Sequence, residues 1–521
     1  MKSSFLYSLF FILYSVLSFS QTKKVELLHA NSLEFDEKLG KDVKRLIGNV
    51  QFRHEGVLMS CDSAYLYPNN KIDAFSNIHI QQGDTLNLFG QLLKYDGNTR
   101  MAEVQKNIRL SDKEMTLTTE QLFYDMHSSV ATYTSGGTIV SKQNTLTSQK
   151  GYYHADTKSF SFKQNVVLTN PEYVMNSDTL LYNTGSKVSY FYGPTIIKSD
   201  QNFIYCENGW YDTEKNTSQF SKNSYLISKN QKLKGDSIAY DRNKGIGQAF
   251  RNVSIIDTSE RIIIAGDYAI HNEETEKSII TKNALLKQFY EDDTLFLHSD
   301  TLCAITEYAL NAKHEKDTSQ SWRKVVAYHH VKFFKDDLQG KCDSLTYSDR
   351  DSLMKLFKAP VLWSEANQLT AEKINIKMSN GEIKNMFLEK LSMIISKVDT
   401  SSHTLLPDSL AKKDSAMYNQ IKGKQMTGYF KDNNLVKIYV EGNGQTIYFA
   451  KDKEKMIGVN KAECSDLIIY LKENAVDNIT FLKKPDATLF PMSDYIPDEF
   501  KLKNFIWREN ERPLVMQDIF H

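Results

Sequence analysis

The stretch from Gly235 to Ile256, GDSIAYDRNKGIGQAFRNVSII, contains the unit from which the chain is built. A small residue and an acid, Gly235 and Asp236, precede one run of alternating apolar residues, and Asn252 precedes a second. Alternation with a period of two is typical of β-strands, because successive side chains of a strand point to opposite faces. The unit is therefore predicted to contain two strands, one opening at Gly235 and Asp236 and the other opening at Asn252.

The same unit returns along the chain at intervals of 28 to 31 residues. Apolar residues mostly stand one and three places after each recurrence of the asparagine. A fixed period of this length predicts a stacked array in which each unit needs its neighbours to bury its apolar face. The recurring residues, here called the asparagine column, are Asn49, Asn77, Asn107, Gly137, Asn165, Gly193, Asn223, Asn252 and Asn283.

An acid recurs with the same period and follows a small residue. That small residue is Cys61, Cys206 or Cys342 in three repeats and mostly serine or glycine elsewhere, so we interpret the cysteines as small side chains. Five cysteines are too few, and odd in number, for a disulfide framework. Because the acid occurs once per repeat, it favours a role in turns and register over catalysis or calcium binding. This acid column comprises Asp62, Asp178, Asp236, Asp267, Asp300, Asp343 and Asp466.

The N-terminus predicts export. Residues 1–20 have a short basic start, an apolar run and a small residue before Gln21, which is the pattern of a secretory signal peptide. No later segment has the eighteen or so consecutive apolar residues of a membrane-spanning helix. With 64 basic and 64 acidic residues, the chain has no net charge that would favour nucleic acid as a partner. We therefore expect an exported protein.

Signatures of catalysis are missing from the sequence. It contains no G-x-S-x-G, HExxH, phosphate-binding loop or CxxC motif. His329 and His330 form the densest histidine site, but they align with Arg251 and Asn252 at a predicted strand start. We therefore predict no enzyme activity, no metal site and no cofactor.

Breaks in the repeat predict the domain organisation. Residues 21–310 are expected to form a first module, and the polar, non-alternating segment 311–321 a connection. The pattern resumes in a second, more divergent module, residues 322–485, which has another polar interruption at 396–414. Residues 486–521 no longer repeat and are expected to be a cap or tail.

Three all-β architectures are compatible with this period. A parallel β-helix would place one repeat in each coil and indicate an enzyme or adhesin that acts on polysaccharide. A transmembrane barrel is disfavoured because polar residues leave no clean apolar band. The third architecture is an antiparallel jelly roll whose two sheets hold an open apolar groove between them.

Five short motifs favour the third architecture: Leu33-Glu-Phe35, Gly48-Asn-Val-Gln-Phe52, Ser177-Asp-Thr-Leu-Leu-Tyr182, Gly235-Asp-Ser-Ile-Ala-Tyr240 and Ala249-Phe-Arg-Asn-Val253. In these motifs the chain resembles the OstA/LptA-type periplasmic lipopolysaccharide-transport family. The resemblance is good over residues 25–305 and loose over 325–485. It implies a repeat-built antiparallel β jelly roll of two modules that shields the acyl chains of lipid A without catalysis.

The resemblance also implies a periplasmic location, with association to the outer membrane, as well as partners and a site. Open jelly rolls leave unpaired edge strands, so we expect other lipopolysaccharide-transport proteins to pair with the edge around Val25 to Phe35. A β-helix enzyme or adhesin remains the second hypothesis, and a scaffold with a closed core the third. The residues expected to line the lipid groove are Ile78, Ile80, Val166, Leu168, Leu180, Tyr182, Ile238, Tyr240, Val253 and Ile255.

Overall fold

The chain forms two compact units: unit 1 ends at Asp200, and unit 2 is Gln201–His521. The described residues contain no α-helix. None of their helices is long and apolar enough to cross a membrane. The predicted signal peptide lies outside the described residues. The computed structural model describes residues 24–35, 38, 40–83, 86–113, 115–200, 202–228, 230–291, 293–311, 315–379, 382–398, 416–431, 434–452, 455–472 and 475–521.

Unit 1 is built from fifteen strands. Most are 10 to 12 residues long, which is about twice the usual length. The strands are β1 (Glu26–His29), β2 (Ser32–Phe35), β3 (Lys44–His54), β4 (Val57–Leu66), β5 (Lys71–Gln82), β6 (Leu86–Asp96), β7 (Met101–Ser111), β8 (Thr116–Asp125), β9 (Val130–Tyr133), β10 (Gly137–Ser141), β11 (Asn144–Ser148), β12 (Lys150–His154), β13 (Ser159–Asn170), β14 (Tyr173–Asn183) and β15 (Val188–Lys198).

Unit 2 contains nineteen strands followed by an irregular C-terminal segment. That segment includes three short 3-10 helices, Met492–Asp494, Glu509–Glu511 and Met516–Phe520. The strands are β16 (Asn202–Asp212), β17 (Thr217–Ser228), β18 (Gln231–Asp241), β19 (Ile246–Asp257), β20 (Ile262–Asn272), β21 (Lys277–Phe289), β22 (Thr294–Leu310), β23 (Lys316–Lys335), β24 (Leu338–Ser348), β25 (Leu353–Phe357), β26 (Val361–Ser364), β27 (Asn367–Thr370), β28 (Lys373–Ser379), β29 (Glu382–Lys397), β30 (Tyr418–Lys431), β31 (Asn434–Asp452), β32 (Lys455–Lys472), β33 (Ala475–Leu482) and β34 (Asp486–Pro491).

Most consecutive strands pair with each other, and these pairs are antiparallel, as predicted. β18 pairs with β19 and β19 with β20 in this way, and the same holds for the other pairs of described strands. The all-β antiparallel fold is therefore confirmed. A parallel β-helix requires parallel pairing between coils, so the architecture behind the second hypothesis is wrong.

Apart from Gly137, which begins β10, the asparagine column lies within strands rather than at their starts, which corrects the prediction. Asn252 falls within β19, where the register with β20 shifts between Phe250 and Val253. Arg251 and Asn252 at this β-bulge both have positive φ, 55° and 49°. A bulge bends the strand and restarts the alternation of faces, which is why its sequence pattern imitates a strand start. Asparagine suits the site because it tolerates the left-handed conformation better than most residues.

The bulges divide the sheet of unit 2 into two halves. In β19, Val253–Asp257 pairs on one side of the bulge and Ile246–Phe250 on the other. Half-sheet A comprises 202–206, 224–228, 231–235, 253–257, 262–266, 284–289, 294–299, 331–335, 338–342, 361–364, 367–370, 392–397, 418–423, 444–452, 455–464 and 486–491, and half-sheet B the remaining strand segments.

The predicted connection at 311–321 is in large part a continuation of the sheet. β22 extends to Leu310 and β23 begins at Lys316, and these two residues pair with each other. The segment therefore forms the end of a long hairpin, because main-chain pairing does not require apolar alternation. The interruption predicted at 396–414 falls mainly on residues outside those described. The module boundaries stay predictions.

The C-terminal segment, residues 492–521, packs on one face of half-sheet A. Met492, Tyr495, Phe500 and Leu502 are buried in a cluster with residues of β29, β31 and β32. Paired residues of neighbouring strands share a face of the sheet. The row that faces the segment, here called the outer row, is Gln339, Trp363, Gln368, Ile395, Gln420 and Ile447.

Candidate functional site

The two columns of the repeat meet at the bulges. The side-chain amide of Asn252 donates to Asp236 at 3.1 Å, so this acid is held by the asparagine of the next strand. At Asp343, hydrogen bonds from Ser344, Lys358 and His329 hold the carboxyl pKa well below its usual range. These contacts show that the acids lie at the β-bulges, where the strands bend. Equivalent pairs are Asn77 with Asp62 (2.7 Å), Asn223 with Glu207 (2.7 Å), Asn283 with Asp267 (3.1 Å) and His330 with Asp300 (2.9 Å).

The small residue before each acid lies where the two halves of a strand meet. A Cβ added to Gly266 would lie 2.6 Å from Cγ2 of Ile280, which leaves little room for a larger side chain. The cysteines at this position are buried, and burial raises the pKa of Cys61 and Cys206 to about 12. A thiol with so high a pKa is a poor nucleophile and a poor metal ligand at neutral pH. Their placement matches the interpretation of these cysteines as small side chains.

The predicted groove residues of unit 2 share one face. Ile238 and Tyr240 lie on half-sheet B, and Val253 and Ile255 lie on half-sheet A. Ile238 and Val253, next to the bulge, are only 5% and 2% exposed. Tyr240 and Ile255, farther from the bulge, are half-buried, as is Leu233 opposite Ile255. This gradient describes an apolar trough, closed at the bulges and open away from them.

The predicted residues of unit 1 have two kinds of surroundings. Ile78 and Ile80 are buried, and Val166 and Leu180 are buried on adjacent strands. A void between the halves of β7 to β13 measures about 10 Å³, roughly the space of one water molecule. The interior at those strands is therefore filled. Leu168 and Tyr182 are half-buried.

A much larger cavity, here called the C-terminal cavity, lies between the half-sheets from β22 to β33. Its volume is about 600 Å³, within the usual range for small-molecule pockets. Both walls are aliphatic, with methionines on half-sheet B. Half-sheet A contributes Leu369, Ile394, Ile421 and Thr446, and half-sheet B contributes Met354, Ile376, Met378, Met386, Ile438 and Ile479.

Polar groups stand where this cavity meets solvent. Lys397 and Lys451 line it and are exposed. Lys335 also lines it and pairs with Asp293 and Asp337 at 3.1 and 2.6 Å. Burial of Lys335 opposes its charge, but the hydrogen bonds and charges of the two carboxylates outweigh burial and raise its pKa. Within the described residues, no group of three or more potential metal ligands occurs.

The sequence pattern does not predict the C-terminal cavity or the packing of the C-terminal segment against half-sheet A. Two buried glutamines hold the main chain of the segment. Gln420 donates to the Phe500 carbonyl and accepts from the Leu502 amide, both at 2.8 Å. Gln368 does the same with Ile506 and Arg508, at 2.8 and 2.7 Å. A sheet covered on both faces could have been recognised from the loss of alternation. Strands buried on both faces are continuous apolar runs, such as VLW at 361–363.

Comparisons with known proteins connect this fold to a family. A model described as OstA-like protein matches residues 22–178 and 179–295, a little more than half of the chain. Among solved structures, one match is LptH of Pseudomonas aeruginosa, the LptA-homologous periplasmic component of the lipopolysaccharide transport device. It is 15% identical over 21% of this chain and 82% of its own, with a TM-score of 0.20, too low to establish a common fold. No curated protein matches. The chain belongs to the family of OstA-like proteins.

Proposed function

We propose that the protein binds lipopolysaccharide in the periplasm and shields its acyl chains during outer-membrane assembly, without catalysis. The observation that carries the proposal is the trough of unit 2, whose aliphatic face becomes half-exposed away from the bulges at Leu233, Tyr240 and Ile255. Membership of the OstA-like family supports the choice of lipid. An N-terminal signal peptide, residues 1–20, is part of the same proposal.

The physical need for such a trough follows from the ligand. Each methylene moved from apolar surroundings into water costs about 0.8 kcal/mol, so several acyl chains together would cost tens of kcal/mol. A carrier must therefore keep apolar contact along the chains. In the trough, buried residues such as Val253 form the floor, and half-buried residues such as Ile255 form walls that a chain can contact.

The partners are proposed to join at strand edges. β1 and β2 are exposed and pair only with β3 among the described strands. Their outer main-chain groups are therefore open to a strand of another transport protein. Photo-crosslinkers from Val25 to Phe35 should capture such a partner in cells, and a lack of capture at every position would contradict this part.

The lipid proposal can be tested with two matched tyrosines. Replacing Tyr240 by the photoreactive p-benzoylphenylalanine places the probe in the trough, whereas the same change at Tyr268 places it on the opposite face of half-sheet B. After irradiation of cells, immunoblotting should detect lipopolysaccharide on the Tyr240 variant alone. Equal capture at both positions, or none at Tyr240 in folded protein, would favour the closed scaffold instead.

A further inference from the structure

The face of half-sheet A that carries the C-terminal segment continues past that segment. The last residues of the segment lie on β22 and β23, where the ring centroids of Phe520 and His298 are 4.8 Å apart. Phe334 on β23 pairs with Gln339, a member of the outer row, so the row runs on towards β16. This continuation, here called the open row, contains Lys232, Lys287 and six apolar residues: Phe203, Ile227, Ile256, Ile263, Phe296 and Phe334.

The open row is an apolar strip on the outside of the sheet. Its six apolar members are half-buried. Ile256 stands four places after Asn252, and the residue four places after Asn77 in unit 1 is Gln81. Gln81 belongs to a row of consecutive partners that are all polar: Gln81, Asn87, Ser111 and Thr116. The repeat therefore does not require apolar residues at this position, and a contiguous apolar strip on a surface marks an interaction site.

We propose that the open row binds an extended segment of a partner protein, both acidic and apolar, which lies across β16 to β21 beside the end of the C-terminal segment. This interaction goes beyond the proposed lipid function and does not depend on it. The chain's own C-terminal segment shows the same chemistry on the same face. Its Glu511 pairs with Lys341, the carbonyl of His521 accepts from Lys332, and Phe520 packs beside these lysines on β22.

The charges of this face select an acidic partner. Lys232 and Lys287 lie in the open row, and Lys234 lies in the adjacent row on the same face. Among the described strand pairs from β16 to β23, no paired residue on this face is an aspartate or glutamate. The acid column stands at the bulges, where Asn252 holds Asp236. The lysine stems can therefore cover apolar side chains of the partner while their ammonium groups meet its carboxylates.

A second copy of the chain and a flat membrane fit this face less well. Two copies placed face to face would oppose lysines with lysines, which disfavours the pairing. Adjacent strands of a sheet are rotated by about 20 to 25°, so β16 to β21 turn through about 100 to 125°. A flat bilayer could touch only a few of these strands. An extended chain can follow the turn, as the C-terminal segment does from Gln420 on β30 to His298 on β22.

A fluorescein-labelled peptide with the sequence of residues 509–521, ENERPLVMQDIFH, is a probe of this chemistry. Neighbouring strands lie about 4.8 Å apart, so β16 to β21 span about 24 Å, which an extended chain of about eight residues can cross. Fluorescence anisotropy should show one peptide bound to each full-length protein. The same peptide with Glu509→Lys, Glu511→Lys and Asp518→Lys should bind at least tenfold more weakly.

Variants of the protein test the lysines of the open row. Lys232→Glu combined with Lys287→Glu should weaken binding of the acidic peptide at least tenfold. Lys232→Gln with Lys287→Gln removes the charges without reversing them, should weaken binding severalfold, and serves if the first variant does not fold. The matched control, Lys277→Glu with Lys282→Glu, makes the same change of charge on β21 outside the open row and should bind as the wild type does.

Photo-crosslinking locates the bound peptide. With p-benzoylphenylalanine in place of Phe520 in the peptide, mass spectrometry should find crosslinks on β16 to β21. Crosslinks confined to β22 to β24 would mean that the peptide displaces the chain's own segment, and the proposal would be refuted. Absence of binding to the wild type would refute it as well, whether or not Tyr240 captures lipopolysaccharide.

Two further measurements identify the other possible occupants. If vesicles of phosphatidylglycerol sediment with the wild type but not with the Lys232→Glu and Lys287→Glu variant, while the peptide does not bind, the face contacts a membrane. If sedimentation velocity shows a dimer that Ile256→Asp dissociates, the occupant is a second copy. Either result overturns the proposal of an acidic partner segment.

Discussion

Replacing Gln420 by leucine should loosen the C-terminal segment at a defined place. The side chain of Gln420 is 2% exposed and bonds both the carbonyl of Phe500 and the amide of Leu502 at 2.8 Å. Leucine has a similar volume but offers neither a donor nor an acceptor. Two main-chain groups therefore lose their partners while the neighbouring apolar contacts remain.

The expected magnitude follows from those two groups. A buried polar group without a partner costs about 1 to 3 kcal/mol, so the loss of two partners in Gln420→Leu should lower the free energy of local opening by about 2 to 6 kcal/mol. Each 1.4 kcal/mol changes an equilibrium tenfold, so even the lower figure predicts about thirtyfold faster hydrogen exchange of the Leu502 amide. The measurement is native-state hydrogen exchange read by mass spectrometry on peptides that cover residues 499–508.

Two further variants separate local from general effects. Gln445→Leu removes a surface hydrogen bond to Glu463 and should leave exchange in the segment unchanged. Gln368→Leu should mainly speed hydrogen exchange of the Arg508 amide, which donates to the side-chain oxygen of Gln368 at 2.7 Å. If Gln420→Leu remains folded and Leu502 exchanges at the wild-type rate, the reasoning that buried glutamines hold the segment is wrong.

Four further predictions follow from burial and backbone geometry. Val253→Asp should unfold unit 2 in circular dichroism, because its carboxylate would be buried at a cost of several kcal/mol, whereas Ile255→Asp should stay folded and lose lipid capture at Tyr240. Asn252→Val should lower the unfolding free energy by about 1 to 2 kcal/mol in urea titrations, because a β-branched residue disfavours φ of 49°. The native cysteines should react with thiol reagents at pH 8 only after unfolding, because burial raises the pKa of Cys61 to about 12. Burial lowers the pKa of His298, so the unfolded chain binds its proton first as the pH falls, and stability should decrease below about pH 6.5; His298→Gln should flatten that part of a stability profile.

The period of the sequence was enough to predict the fold but not the position of the bends. Alternation depends on local geometry, so antiparallel strands could be read from runs such as 253–255. A bulge restarts the alternation, and Asn252 therefore looked like the start of a strand. The presence of Gly193 in the asparagine column indicated the left-handed conformation, because glycine and asparagine both tolerate positive φ. In the structure the φ of Gly193 is 78°. In the repeat of Gly137, the positive φ belongs to the preceding Gly136, at 87°.

The sequence predicted which face of the sheet the groove residues lie on, but not how exposed they are. The period places Ile238 and Ile255 on one face, yet it does not show how far the two half-sheets separate. That distance depends on packing between side chains of different strands, which the alternation within one strand does not encode. Ile78, which is 1% exposed, and Ile255, which is half-buried on a trough wall, therefore have the same local pattern and different surroundings.

The C-terminal segment is better understood as a structural layer of unit 2 than as a tail. Half-sheet A has the C-terminal cavity on one face, so that face gains less apolar burial than a filled interior would give. Met492, Tyr495, Phe500 and Leu502 cover the other face, and at about 1.5 to 3 kcal/mol for each buried side chain they contribute about 6 to 12 kcal/mol as an upper estimate. This is comparable to the whole net stability of a typical domain. Gln420 belongs to the outer row and bonds the main chain of the segment, so it holds the segment to half-sheet A. A half-sheet covered in this way can keep an unfilled interior on its other face.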